Sequence, residues 1–385
     1  MKIIKHITNW LETHACTPAY SGWVLIGIAI CFFGAGVNTM AGWLYVISGV
    51  SFALLGLAAF LPPRSLLGLV VKRLPIQPVT AGDDITVALE IQNQTQRPVT
   101  LLQVQDILPF VLAQPAHKAI ETILTGETYR WIYYQPTQRR GIYRWHTVEL
   151  ATGAPLGLFW CRRHRDAAAT AIVYPQVLPL STCPIIDAMG EEDSKKGDPH
   201  SQPLQTATQG LTRSLRPYRI GDPIRLIHWR TSARYGELRV RELEMVTGGE
   251  EIIIAIDSAG KWTEECFEQA VIAAASLYFY AYHKELNITL WTAQTGLVTG
   301  HRVVLETLAA ALAGEDATHL QPPNNPLIWL TQNPLTLASL PSGSRWLLWQ
   351  NTFSSQEQVV VNRDFPGVLI DTQQPLQLQL QKPLL

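Results

Sequence analysis

Hydrophobic and polar positions divide the chain into three stretches of different texture. From Thr13 to Pro63 there is no Asp, Glu, Lys or Arg. A charge-free run of 51 residues is too long for one membrane span and suits two. Small residues and an Asn at Gly34-Ala35-Gly36-Val37-Asn38-Thr39-Met40-Ala41-Gly42 predict a tight turn between them. The expected helices cover about residues 19–37 and 42–61, the second ended by Pro62-Pro63. Tyr20, Trp23, Trp43 and Tyr45 fall near the expected ends, where an interfacial aromatic belt would lie. A signal peptide has one short apolar core, so a second long run directly after the first argues against that reading. A buried soluble hairpin would normally keep a polar face, and none is visible here.

In the second stretch, residues 75–180, apolar residues alternate with polar or small ones. Ile85-Thr86-Val87-Ala88-Leu89-Glu90-Ile91 has the period of a half-buried strand. Asn93-Gln94-Thr95-Gln96-Arg97-Pro98 then supplies turn chemistry. Further extended stretches at Tyr129–Tyr134, Gly141–Leu150 and Ala171–Tyr174 predict a β-sandwich of immunoglobulin-like size. Residues 181–210 are largely polar and aperiodic, which predicts a linker or mobile loop.

The third texture begins at Glu251. Ile252-Ile253-Ile254-Ala255-Ile256 is a continuous apolar run ending at Asp257, as in a strand buried on both faces. Helical patterns at 263–284 and 302–313 alternate with apolar runs at Asn287–Trp291, Leu327–Leu330, Trp346–Trp349 and Val368–Ile370. This alternation predicts an open, mostly parallel α/β sheet over residues 251–385.

Composition agrees with a membrane-attached chain: 47% hydrophobic and only 16% charged residues. Lys2 and Lys5 precede the hairpin, Arg64, Lys72 and Arg73 follow it, and its turn is uncharged. The positive-inside rule therefore puts both termini in the cytoplasm and makes residues 1–74 a cytoplasmic start plus a multi-pass anchor. Five scattered cysteines without CxxC spacing predict reduced thiols. A net charge of −1 gives no nucleic-acid-wide field, so no nucleic-acid partner is expected.

Residues 211–250 carry the most distinctive chemistry, GLTRSLRPYRIGDPIRLIHWRTSARYGELRVRELE from Gly210 to Glu244. Arg213, Arg216, Arg219, Arg225, Arg230, Arg234, Arg239 and Arg241 stand among Asp222, Glu237, Glu242 and Glu244. Arginine in preference to lysine suits fixed bidentate pairing with carboxylates or phosphates. RPYRIGDPIRLIHWRTSAR followed by LRVRELE resembles the core signature of the domain-of-unknown-function 58 family. The likeness extends to the paired N-terminal helices, the RSLLGLVVKRLP junction and the β-rich middle. It implies a bacterial protein of the inner (plasma) membrane or an internal membrane, with a C-terminal domain similar to von Willebrand A domains. It also implies work alongside a MoxR-type AAA+ ATPase in assembling or maturing other complexes.

Arg216, Tyr218, Gly221, Asp222, Arg225, His228, Trp229, Ser232, Arg234 and Glu242 are the candidate interaction site. Gly221-Asp222-Pro223 reads as a turn in which Asp222 caps the next segment or pairs with an Arg. His228 reads first as a structural histidine, with proton transfer as the other role.

A von Willebrand A domain holds magnesium through Asp-x-Ser-x-Ser after its first strand. Here Asp257 stands in the first position, but Ala259 and Lys261 replace the two serines. The metal site is thus degenerate, and no cofactor is expected. Two functions stay open, beside a third possibility that the basic segment contacts anionic lipid. The first is a non-enzymatic interaction or assembly protein at the membrane. The alternative is an enzyme acting on a phosphorylated or acidic substrate through Asp222, His228 and the arginines.

Overall fold

The computed structural model describes residues 16–189, 211–217, 232, 237–244, 251–317, 322–350 and 365–384. They belong to two compact units, Met1–Gln176 and Val177–Leu385.

The first unit opens with a short strand, β1 (Thr17–Pro18), and two helices, α1 (Tyr20–Thr39) and α2 (Gly42–Leu67). Both helices are long and apolar enough to cross a membrane. At 1.5 Å per residue they measure about 30 and 39 Å. Ile28, Ile30, Phe33, Val46, Val50 and Leu57 lie exposed on their outer faces.

The inner faces are built from small residues. Gly22, Ala29 and Gly36, seven apart, are the buried positions of α1. Against them α2 buries Leu44, Ser48, Ser51, Leu55 and Ala58 among others. Small side chains let two apolar helices approach closely where no hydrophobic force separates them from lipid. Ser48 Oγ uses that proximity to donate to the Ala29 carbonyl at 2.9 Å.

The second helix does not end at Pro62-Pro63 but runs on to Leu67. Each proline lacks an N–H and displaces the carbonyl four residues earlier, here those of Ala58 and Ala59. The Ala59 carbonyl accepts instead from the Cys16 thiol at 3.4 Å. At the far end Arg165 donates through Nη2 to the Leu66 carbonyl and through Nε to the Leu69 carbonyl, the latter at 3.0 Å. A cation on the last-turn carbonyls satisfies orphan acceptors and complements the helix dipole.

Two sheets follow. In one, β2 (Leu69–Arg73), β4 (Asp84–Asn93) and β7 (Thr128–Pro136) lie in the order β2-β4-β7. The other contains β5 (Val99–Asp106), β6 (Ala116–Ile123), β8 (Gly141–Thr152) and β9 (Phe159–Tyr174) in the order β1-β9-β8-β5-β6. A two-residue strand, β3 (Val79–Thr80), adds in parallel to β9. The alternation expected from Ile85 to Ile91 places Ile85, Val87, Leu89 and Ile91 in the core. Leu89 and Ile91 pack in one cluster with Leu102, Val104 and Leu150 of the other sheet.

A polar network also crosses between the sheets. Asp106 is fully buried and accepts from Arg73 Nη2 at 2.6 Å, Tyr133 Oη at 2.8 Å and Trp145 Nε1 at 3.1 Å. The Arg73 guanidinium lies 5.2 Å from the Trp145 ring centroid. Burial pushes the Asp106 carboxyl above the usual carboxylate range, and its three donors oppose that push. Arg73 is therefore neutralised inside the sandwich, while Arg64 and Lys72 stay exposed.

Register also sets two thiols face to face. Thr17 stands opposite Trp160, so Cys16, one position earlier, faces Cys161. The neighbouring Cys16 thiol brings the Cys161 thiol down to about 7, helped by Arg163 against the opposing effect of burial. The presence of Cys161, together with burial, pushes the Cys16 thiol up. Directly opposed strand positions meet the separation a disulfide needs. Copper-phenanthroline oxidation should therefore join Cys16 to Cys161 within one chain, detected by non-reducing peptide mapping. A map with both peptides still free would contradict this register.

The second unit begins earlier than the sequence suggested. Cys183, Ile185, Ile186 and Met189, part of the expected linker, are buried in its core. The Asp187 carboxylate accepts from Tyr280 Oη at 2.9 Å. The polarity of the later residues masked this short apolar patch; residues 190–210 lie outside the described residues. Next, β10 (Leu211–Pro217) pairs antiparallel with β11 (Arg239–Glu244), with a register shift between Thr212 and Ser214.

The main sheet contains β12 (Ile252–Ile256), β13 (Ile288–Thr292), β14 (Gly296–Val298), β15 (Leu327–Thr331), β16 (Arg345–Trp349) and β17 (Gly367–Ile370). Their order is β14-β13-β12-β15-β16-β17, and only the edge strand β14 is antiparallel. Helices α3 (Glu264–His283), α4 (His301–Ala310) and α5 (Leu376–Leu380) accompany it. Apolar clusters occupy both faces of the sheet, which is why its strands read as continuous apolar runs.

Candidate functional site

Strand order reverses between β12 and β15, and in open α/β sheets ligands collect outside the carboxyl ends of strands at such a point. Asp257 follows β12 and Thr331 ends β15, so the sheet brings them together. The Asp257 amide donates to the Leu330 carbonyl at 3.0 Å, and Thr331 Oγ1 donates to Asp257 Oδ2 at 2.8 Å.

The loop after β12 is tied down on several sides. Gly260 N donates to the Asp257 carbonyl at 3.1 Å, and Trp262 Nε1 donates to the same oxygen at 2.6 Å. A Cβ at Gly260 would stand 2.8 Å from Asp257 Oδ2, so any larger residue there would have to displace that carboxylate. Ser258 is fully buried; its Oγ accepts from the Ala293 amide at 3.0 Å, and its carbonyl accepts from Gly314 N at 2.8 Å. Gln332 Oε1 accepts from the Thr263 amide at 2.8 Å, linking the start of α3 to the loop after β15. Asn333 Oδ1 accepts from Leu335 N at 3.1 Å.

Ala259 and Lys261 are exposed and turn away from this inner ring. Among the described residues, no three His, Cys, Asp or Glu side chains gather as a metal would need. One carboxyl held by the Thr331 hydroxyl can keep a proton or hydrogen-bond a polar group at the mouth of the sheet.

Burial pushes the Asp257 carboxyl up, opposed by bonds from Thr331 and Gly260. A carboxyl with a raised folded pKa supports the fold when protonated, and that support is lost as pH rises through the folded value. Asp257→Asn keeps an acceptor for Thr331 and removes the charge. It should raise stability on the order of 1 kcal/mol at pH 7 and change little near pH 3.5. Thermal unfolding at both pH values checks this, and a wild type more stable at pH 7 would refute it.

Tyr218, Gly221, Asp222, Arg225, His228, Trp229 and Arg234 lie outside the described residues. Ser232 is buried. Arg216 pairs with Val240, and Glu242 pairs with Ser214, so both lie on the β10–β11 ribbon. Sequence reading singled out Asp257, as the first position of a degenerate metal motif. It missed Gly260, Trp262 and Ser258, whose roles depend on contacts with other loops.

The chain thus joins a hairpin of apolar helices, a two-sheet domain and an α/β unit with a polar site at its switch point. Residues 214–313 match the family described as "Protein of unknown function DUF58". It is 24% identical over 267 residues to the uncharacterized protein YeaD of Bacillus subtilis (strain 168). That alignment covers 66% of this chain and 64% of YeaD, so the chain spans somewhat less than two thirds of that relative.

Among solved structures, the CARDB domain of a Pyrococcus furiosus protein is similar at 13% identity with a TM-score of 0.21, covering 28% of this chain and 94% of that one. A protein of unknown function from Porphyromonas gingivalis W83 is similar at 15% identity and a TM-score of 0.21, covering 30% and 52%. Likeness at those scores establishes nothing further about the fold.

Proposed function

We propose that the protein is a membrane-anchored interaction or assembly component whose soluble units face the cytoplasm and whose α/β unit engages a protein partner. The observation that carries this reading is the pairing of a lipid-ready hairpin with a rigid switch-point site. That site is built from one carboxyl and several hydroxyls, with no nucleophile–base pair assembled among its described residues. Polar groups fixed at strand ends suit recognition of a partner's backbone or side chains.

The strand order, with a short antiparallel edge, supports the von Willebrand A-like reading of this unit. The two packed sheets support the immunoglobulin-like reading of the middle domain. Exposed Arg64 and Lys72 at the end of the hairpin support the cytoplasmic orientation. A MoxR-type AAA+ ATPase is the partner that family resemblance nominates. The enzymatic alternative rests on Asp222 and His228, outside the described residues, and no observation favours it.

Crosslinking in intact membranes, followed by identification of neighbours, tests the proposal. Wild type should capture a cytoplasmic or envelope protein reproducibly, and Asp257→Arg should reduce that capture at least tenfold, about the 1.4 kcal/mol that separates decades of affinity. Equal capture by both, or capture of lipid alone, would remove the proposal.

A further inference from the structure

The turn between β8 and β9 is apolar where a solvent-facing turn would be polar. From Leu150 to Cys161 there is no charged residue, and the connecting segment reads Gly153-Ala154-Pro155-Leu156-Gly157-Leu158. Leu156 and Trp160 are 44% and 42% exposed.

This turn is fastened to the first turn of α1. The Ala19 amide donates to the Leu158 carbonyl at 2.8 Å, and Ser21 Oγ donates to the Gly157 carbonyl at 3.1 Å. Gly22 lies so close that a Cβ there would stand 2.2 Å from the Leu158 oxygen. The contact satisfies helix N-terminal groups that would otherwise be orphaned. It also fixes the depth of the turn, because Tyr20 and Trp23, both exposed, mark the same end of the helix.

A 20-residue helix spans about 30 Å, the thickness of the hydrocarbon core, so its first turn sits at the headgroup boundary. A segment hydrogen-bonded to that turn lies at the same level. Its exposed Leu and Trp are the side chains that partition into this layer. Of the charged residues flanking it, Arg162 pairs with Glu149 at 3.1 Å, and Arg163 follows, of the sign that suits anionic headgroups.

We propose that the β8–β9 turn is a third membrane contact, with Leu156 and Trp160 inserted into the interfacial layer of the bilayer that holds the hairpin. The proposal rests on the membrane-anchor reading and adds to it: the sandwich touches lipid directly instead of hanging from the helices. The occupant is the bilayer because the turn is hydrogen-bonded to the first turn of α1, whose outer face is apolar and exposed.

The test uses the full chain in phosphatidylethanolamine–phosphatidylglycerol nanodiscs, with p-benzoyl-phenylalanine placed singly at four positions. Val50, on the outer face of α2, reports the hairpin. Leu156 and Trp160 report the turn, either one sufficing should the other fail to fold. Phe110, 95% exposed beyond the opposite end of β5, reports background. Lipid adducts at Val50 and at Leu156 or Trp160, with none at Phe110, are the expected result. Adducts at Val50 alone would overturn the third contact and leave the anchor standing. No adducts at Val50 would overturn the anchor reading and this inference with it. Protein adducts in place of lipid at the turn would overturn the inference in favour of a partner.

Discussion

Replacing Asp106 with Ala in the full-length protein should destabilise the β-sandwich by about 3–5 kcal/mol, the cost of leaving one partner of a buried ion pair alone. The magnitude follows from what Asp106 holds: a guanidinium, a phenol and an indole N–H, all directed at one carboxylate. Arg73 has no alternative, because its Nε and Nη1 are already buried without a hydrogen-bond partner. Removing both charges is a milder change. Asp106→Leu combined with Arg73→Met should recover most of the loss, since an apolar pair of similar volume needs no desolvation. Denaturant unfolding followed by tryptophan fluorescence distinguishes the variants, as Trp145 belongs to the network. A single-variant loss below about 1 kcal/mol, the scale of exposed pairs, would mean the pair is not formed as described.

Ile30→Lys together with Val50→Lys should release the chain from the membrane fraction. Both residues are exposed near the middle of their helices. Each lysine at such a depth opposes insertion by about 2.5–3.5 kcal/mol, so the pair approaches 5–7 kcal/mol before snorkelling relieves some of it. Alkaline carbonate extraction of expressed protein reads the outcome. Wild type should stay in the pellet, and the double variant should appear in the supernatant or as an aggregate. A double variant as resistant to extraction as the wild type would show that these faces do not meet lipid.

How far the sequence discloses this molecule depends on the range of the interaction involved. Charge-free residues 13–63 and the period-two alternation at Ile85–Ile91 are local patterns, and each appears where expected. The apolar run before Asp257 is also local, and it forms the central strand β12. The end of α2 was misplaced because Pro62-Pro63 is a valid stop signal that tertiary contacts override. Cys16 and Arg165, 43 and 99 residues from their acceptors, take up the carbonyl groups concerned. Asp106 was invisible for a similar reason: its partners lie 27 to 39 residues away on three other strands. At the switch point, the motif after β12 singled out Asp257, while Thr331 carried no signal of its own. Their hydrogen bond, across 74 residues, needed the parallel pairing of β12 with β15.

The Arg165 clasp has a mechanical consequence. Only Gly68 separates the end of α2 from the start of β2, and Arg165 grips the carbonyl on either side of that gap. A flexible tether would let the sandwich sweep a hemisphere above the bilayer, diluting any surface it offers. This joint has no slack, so tilting the hairpin tilts the sandwich through the same angle. In the membrane-anchored arrangement proposed above, a fixed mast holds the Phe110 loop at one height over the bilayer, and whatever meets that loop must reach that height.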